Sequence, residues 1–345
     1  MALTTITFDT DTLLELDPAR AYAIASLAAA QNDAPVVEAF LRSGLNPCST
    51  EHKNTQRRTR ATMIHCPWLT AIRNDASDVV AAIARFKGPL TTPSRLMSIK
   101  PQGLNALQTA LDEGAHKTLA LLRELKLPVK PLEANSGGQG RPGEGAPLLW
   151  AAHEGLEDVA RWLRGAVKGQ MTAAQRADLL FHLAAGDCAA LLAEEPLSAE
   201  SILAARSLEI PVSPSTAYRS LSDIFRAFLA DAREQGRPVG FDPLDWALWA
   251  RAPRALRLFS DILGENSVCA RAELWLRLVR QHGDGAARGV HGGPFALDDP
   301  RHPRQRLPAF MAHCEAVAIG AALLAAAPAA ADPAPTPARP RGLRL

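Results

Sequence analysis

The stretch APLLWAAHEGLEDVARWLRGA, Ala146–Ala166, reads as two short helices joined by a tight turn. Pro147 suits a first helical turn, where its missing N–H would be unpaired in any case. The small pair Ala151-Ala152 lets a neighbouring helix come close. Gly155 tolerates the left-handed conformation that ends a helix. Val159, Trp162 and Leu163 then return at three-to-four spacing, the apolar stripe of a second helix. Neither helix is long enough to persist alone in water, so the hairpin must bury its apolar side against a neighbour.

Working outward, the pattern recurs. Upstream stand AIASLAAAQNDAPVVEAFLRSGLNP (Ala23–Pro47), CPWLTAIRNDASDVVAAIARF (Cys66–Phe86) and NALQTALDEGAHKTLALLRELKLP (Asn105–Pro128). Downstream stands DPLDWALWARAPRALRLFSDILG (Asp242–Gly264). Between them DLLFHLAAGDCAALLAEEP holds a degenerate copy opening at Leu180, with a shortened second helix. The openers of the clear copies are Ile24, Pro67, Ala106, Pro147 and Pro243, and the breaks are Asn32, Asp75, Gly114, Gly155 and Arg251. Each copy can bury its stripe against the next, so the array is expected to stack as a solenoid.

These segments resemble the ankyrin repeat, whose motif runs T-P-L-H-x-A-A, two variable residues, Gly, a V-V-x-L-L helix and a Gly-rich finger. The resemblance covers roughly Ala19–Ala166 and Phe241–Gly264. Opener spacings of 43, 39 and 41 residues exceed the family period near 33, which implies enlarged fingers. Ser26, Leu69, Gln108, Leu149 and Asp245 replace the signature His, and His182 takes that place in the degenerate copy. The resemblance implies an all-α, ankyrin-like helical-hairpin solenoid with enlarged inter-repeat loops. It also implies a non-catalytic module that binds a protein partner, with contacts from the variable pair: Gln31 beside Ala30, Arg73-Asn74, Asp112-Glu113, His153-Glu154 and Trp249 beside Ala250. Trp249 is expected on an open surface as an aromatic anchor, whereas Trp68, Trp150 and Trp246 point inward to the core.

Composition agrees with a helical chain. Among 345 residues there are 64 Ala, and aromatics make up 5 %. A net charge of +2 gives no bulk electrostatic case for wrapping nucleic acid. Only 7 of the 38 basic residues are Lys, which, with the Ala and Pro content, suggests a high-GC bacterial gene. Five scattered cysteines without a CxxC fit a reducing compartment. The acidic N-terminus lacks the basic region of a secretory leader. Ala316–Ala331 is too short and too Ala-rich to span a membrane. The expectation is a cytoplasmic monomer without cofactor, metal or membrane contact. The alternative is a protein secreted into a host cell, with which the Thr-rich N-terminus is compatible.

The expected organisation is an N-terminal segment (1–17), four repeats (18–166), degenerate helical repeats (167–282), a Gly/Pro/Asp/Arg-rich loop (283–308), a terminal helix (309–327) and a Pro/Ala/Arg tail (328–345). Glu195–Phe241 is expected to hold a further distorted repeat, including the amphipathic LSDIFRAFLADAREQG (Leu221–Gly236). NSGGQGRPGEG (Asn135–Gly145) is a flexible loop, not a phosphate cradle, since it lacks GxxxxGK[ST].

Three constellations carry chemistry-bearing side chains. Cys48, His52, His65 and Cys66 share one finger but match no zinc pattern, because the adjacent His65 and Cys66 rarely face one metal. The same finger carries Lys53, Arg57, Arg58 and Arg60. Arg57 and Arg58 are candidate contacts to an acidic partner or phosphate, although no interleaved aromatic signals base stacking. His282, His291, His302, His313 and Cys314 would underlie an enzymatic alternative in the C-terminal third only if they converged on a pocket.

Overall fold

The computed structural model describes residues 18–48, 66–88, 91–98, 104–133, 146–208, 219–288 and 303–320. Among these the chain is all-α: there are helices and no strands, with one isolated antiparallel bridge, Ser207 to Phe241. The helices form two compact units that divide at Gly137–Gly138. The fourth repeat therefore belongs with the second unit and not with the first three.

The first unit holds three hairpins. They are α1 (Pro18–Ala30) with α2 (Ala34–Arg42), α3 (Pro67–Arg73) with α4 (Ser77–Arg85), and α6 (Ala106–Asp112) with α7 (His116–Glu124). First helices stack on first helices, α1 on α3 on α6, and second on second, α2 on α4 on α7. The contact layer of the first helices is built from small side chains: Ala25, Ala29, Ala71 and Ala110 are fully buried. The enlarged finger between the second and third hairpins contains a short helix, α5 (Pro93–Ser98), packed on α6. It covers Trp68, whose indole N–H donates to the Leu96 carbonyl at 3.0 Å.

The second unit repeats the arrangement. Its hairpins are α8 (Pro147–His153) with α9 (Glu157–Gly165), α10 (Ala173–Ala185) with α11 (Ala189–Ala193), and α14 (Pro243–Ala250) with α15 (Pro253–Leu263). Again α8, α10 and α14 stack, and so do α9, α11 and α15. The degenerate copy thus packs directly on the hairpin that begins at Pro243. The described part of Glu195–Phe241 does not stand between them, as a further repeat in the stack would. It forms α12 (Ala199–Ala204) and α13 (Arg219–Glu234), and paired Ser207–Phe241 backbone bonds of 2.9 and 2.7 Å close its base. Beyond α15, α16 (Glu265–Arg288) and α17 (Pro303–Ala318) finish the unit, with α16 packed on α13, α15 and α17. α16 runs past residue 282, and α17 begins six residues earlier than the expected 309.

Every hairpin turns on a residue with positive φ, eight positions after the opener: Asn32, Asp75, Gly114, Gly155 and Arg251 in the clear copies. In the degenerate copy that residue is Asp187, which sets its opener at Leu179, one residue before the sequence alignment. His182 therefore misses the signature slot, which Phe181 fills, and instead shares the slot of Trp150 and Trp246. All three are buried.

Candidate functional site

The candidate contact residues lie one and two positions before each turn, so the mutual placement of the turns decides whether they form a face. A side-chain device fixes that placement. The N-cap residues just before α4, α7, α11 and α15 are Ala76, Ala115, Cys188 and Ala252, none of which makes a side-chain cap. The missing acceptor comes from the hairpin before. The Asn32 side-chain oxygen accepts from the Asp78 and Val79 amides at 3.0 and 3.2 Å. The Asp75 carboxylate accepts from the Thr118 and Lys117 amides at 2.8 and 3.3 Å. Asp187 accepts from the Ala255 amide at 2.8 Å and from Arg254 Nε at 3.2 Å. For α11 the Glu157 carboxylate does the same for the Leu191 amide, at 2.9 Å. α2, the first second-helix among the described residues, is capped within its own hairpin: the Asp33 carboxylate accepts from the Val36 amide. An Asn or Asp in the left-handed turn thus does two jobs, since it tolerates the backbone and caps the next copy.

In the first unit these caps hold the turns side by side, and the candidate residues follow them. Gln31, Asn74, Asp112 and Glu113 are exposed, and Arg73 is half-buried. The Asn74 amide donates to the Thr70 carbonyl at 2.9 Å, closing the end of α3. The row carries a cation in its middle copy and two carboxylates in the next.

In the second unit the same slots hold three different things. His153 is half-buried and Glu154 exposed. The degenerate copy has Gly186, and a Cβ there would sit 1.7 Å from the Ala152 carbonyl oxygen, so the backbones of the two turns touch directly. The third slot corrects an expectation: Trp249 is 1 % exposed and is no surface anchor. Its ring stacks on Phe310 of α17 at 4.0 Å between centroids and meets Phe225 of α13 and Trp275 of α16 edge-on at 5.1 and 5.5 Å. The ends of the insertion and the terminal helices cover the side of α14 that another copy would occupy. Arg57 and Arg58 lie outside the described residues.

Two polar clusters escaped the sequence reading. At the start of α14, Asp242 and Asp245 form a capping box, each carboxylate accepting from the other's amide at 3.0 and 2.9 Å. Both are buried. Arg271 Nη1 reaches both carboxylates at 2.8–2.9 Å, the Trp275 indole donates to Asp245 at 2.8 Å, and Arg206 Nη1 stands 3.9 Å from Asp242. Burial first, and the Asp245 charge second, push the Asp242 carboxyl up to about 7 against the pull of both arginines. The alternation of apolar residues in DPLDWALW hides these carboxylates, which read as ordinary helix-start acids. The node ties α14, α16 and the end of the insertion together.

The second cluster is His153 of α8 and His182 of α10. Their Nδ1 atoms are 3.4 Å apart and the rings meet nearly at right angles. His182 also lies edge-on to Trp246 at 5.3 Å. Burial, aided by His153, holds the His182 ring neutral down to about 3.

Of the C-terminal histidines, only His282 and His313 are among the described residues. His282 is exposed on α16, and His291 and His302 lie outside the described residues. His313 and Cys314 are consecutive on α17, so their side chains leave the helix about 100° apart. Cys314 is fully buried, and burial raises its thiol far above the range of a nucleophile. A recess of about 390 Å³ between α16 and the end of α17 is lined by Glu265, Cys269, Glu273, Ile319 and Gly320, and neither His282 nor His313 is part of that lining. In the first unit Cys48 and Cys66 are buried. Cys66 Sγ donates to the Pro47 carbonyl at 3.4 Å, and burial with the neighbouring Cys66 pushes Cys48 up to about 12. His52 and His65 lie outside the described residues. Among the described residues no three His, Cys, Asp or Glu side chains are placed to hold a metal ion, and no helix is long and apolar enough to cross a membrane. Comparison of the chain with family models, curated proteins and solved structures gives no match.

Proposed function

We propose that the chain is a divergent ankyrin-like repeat protein acting as a non-catalytic interaction module. It binds a protein partner along the turn-proximal ends of its first helices, and the first unit carries the face. The observation that supports this reading is the row of Gln31, Arg73, Asn74, Asp112 and Glu113: polar, mostly exposed, and held in corresponding places by the caps Asn32 and Asp75. Such a row offers extended area without a pocket, which suits a protein surface more than a small molecule. A cation beside two carboxylates sets a polarity that a partner can read. A buried alanine four or five places after the opener position, a left-handed turn eight places after it and a second-helix apolar stripe recur through the described hairpins, and this supports the family resemblance.

The test is affinity purification with the full chain from lysate of its native host, with Arg73→Glu and the double variant Asp112→Lys, Glu113→Lys as controls. The reading expects at least one protein retained by the wild type and lost by both. If every recovered protein is indifferent to both changes, the chosen face is wrong. Trp249 is unsuitable as a control, because its replacement would disturb the core and not a surface.

A further inference from the structure

Across the stack from α8 to α10, two imidazole nitrogens sit at a distance with chemical meaning. His153 Nδ1 and His182 Nδ1 are 3.4 Å apart. Two imidazoles on one tetrahedral zinc, with Zn–N of about 2.0–2.1 Å, place their nitrogens about 3.3–3.4 Å apart. The spacing is set by backbone packing and not by two flexible chains, because Gly186 lies directly against the Ala152 carbonyl one residue from His153. His182 is 8 % exposed and is braced edge-on by Trp246. His153, half-buried at the end of α8, leaves a route in from solvent.

We propose that His153 and His182 form a two-histidine site for a divalent first-row transition ion, zinc being the fitting case, ligated through both Nδ1 atoms with water in the remaining positions. No third described His, Cys, Asp or Glu completes the set, so the site is open and its ion exchangeable, unlike a closed structural zinc. The proton balance is simple. Starting from both rings in the neutral form, one Nδ1–H faces the other ring's Nδ1. On binding, that proton moves to Nε2 of the same ring, both Nδ1 lone pairs face the ion, and no net proton is released. The ion bridges two successive hairpins and so stabilises their contact. This inference stands apart from the partner-binding reading.

The experiment titrates zinc and cobalt(II) into the full chain carrying no histidine tag. The expected result is one ion per chain by calorimetry, cobalt d–d bands of nitrogen and oxygen ligation, and a thermal midpoint that rises with zinc. His153→Ala weakens binding at least ~10-fold. His182→Phe does the same, and its ring occupies a slot that Trp150 and Trp246 fill in the neighbouring copies, so the fold is retained. Circular dichroism checks that both variants stay helical. The proposal is overturned if the wild type binds no ion at millimolar metal, if both variants bind as the wild type does, or if a thiolate-to-cobalt charge-transfer band shows cysteine ligands.

Discussion

Gly186→Ala isolates the backbone contact between the first two hairpins of the second unit. Gly186 has φ −84°, so alanine costs nothing in backbone conformation there. The new methyl group would lie 1.7 Å from the Ala152 carbonyl oxygen and 2.9 Å from the Gly155 nitrogen. Ordinary carbon–oxygen contact is roughly 3.2–3.4 Å, so α10 must retreat from α8 by about 1.5 Å. Nothing along that interface can absorb the shift: Ala151, Ala152, Leu183 and Ala184 are all fully buried. The Glu157 cap on Leu191 and the His153–His182 contact span the same gap. Overpacking of this kind costs about 3 kcal/mol or more, a fall in thermal midpoint of about 6–12 °C for a unit of this size. Gly114→Ala is the control, with positive φ but open space around the added carbon, and should cost only about 1 kcal/mol. Thermal and urea unfolding of the full chain, followed by circular dichroism, compares the two. Should Gly186→Ala destabilise no more than Gly114→Ala, the close approach of the turns, and with it the stacking register of the second unit, is refuted.

Three further outcomes are expected. Asp187→Ala removes the cap on Ala255, the Arg254 contact and a residue tolerant of positive φ, and should cost about 2 kcal/mol by urea denaturation, while Asp187→Asn keeps the acceptor and loses less than half as much. Trp249→Ala should destabilise by about 3–5 kcal/mol in the same assay, since it empties the space between Phe310, Phe225 and Trp275; a change under 1 kcal/mol would mean the ring is not core. Asp242 binds its proton more tightly folded than unfolded, so its contribution to stability is full below pH 4 and is lost as pH rises toward 7. Asp242→Asn should remove that downward slope from the urea midpoint measured across this range, and an unchanged slope would assign the titration to another group.

The hairpins were legible because their rules are local. A proline or cap, a small residue four places on and a turn former eight places on are properties of nine consecutive residues, and the hairpins that turn at Asp75 and Gly155 obey them; Asn32 keeps the turn although α1 begins at Pro18, six residues before Ile24. The degenerate copy slipped by one because Gly186 and Asp187 both favour turns, and because His182 attracted the alignment to the signature His. The positive φ of Asp187 and the packing of Gly186 against Ala152 decide between them. The helical Glu195–Phe241 region, with its amphipathic stretch Leu221–Gly236, suggested a further copy, whereas α10 meets α14 directly. Long-range pairing of that kind leaves no periodic trace. Trp249 was misplaced because its slot is open in an uninterrupted array. The counter-signal was present in Phe225 and Phe228 on the amphipathic stretch Leu221–Gly236, a stripe that needed aromatic surface to cover. The His153–His182 pair and the Asp242–Arg271 node join residues about 30 positions apart, beyond the reach of any spacing rule.

The caps borrowed from the hairpin before give the array a direction. Asn32 serves the amides that open α4 and Asp75 those that open α7; the Asp78 carboxylate of α4 accepts from the Asn32 side chain in return, but the backbone caps themselves run one way. Loss of material from the front of the chain therefore orphans amides in the hairpin left behind, whereas loss from the back strands only a solvated side chain. A nascent chain leaving the ribosome meets this asymmetry in its favourable sense. Each hairpin emerges after its predecessor has already displayed the acceptor it will need, so growth can proceed by templated addition, one hairpin at a time.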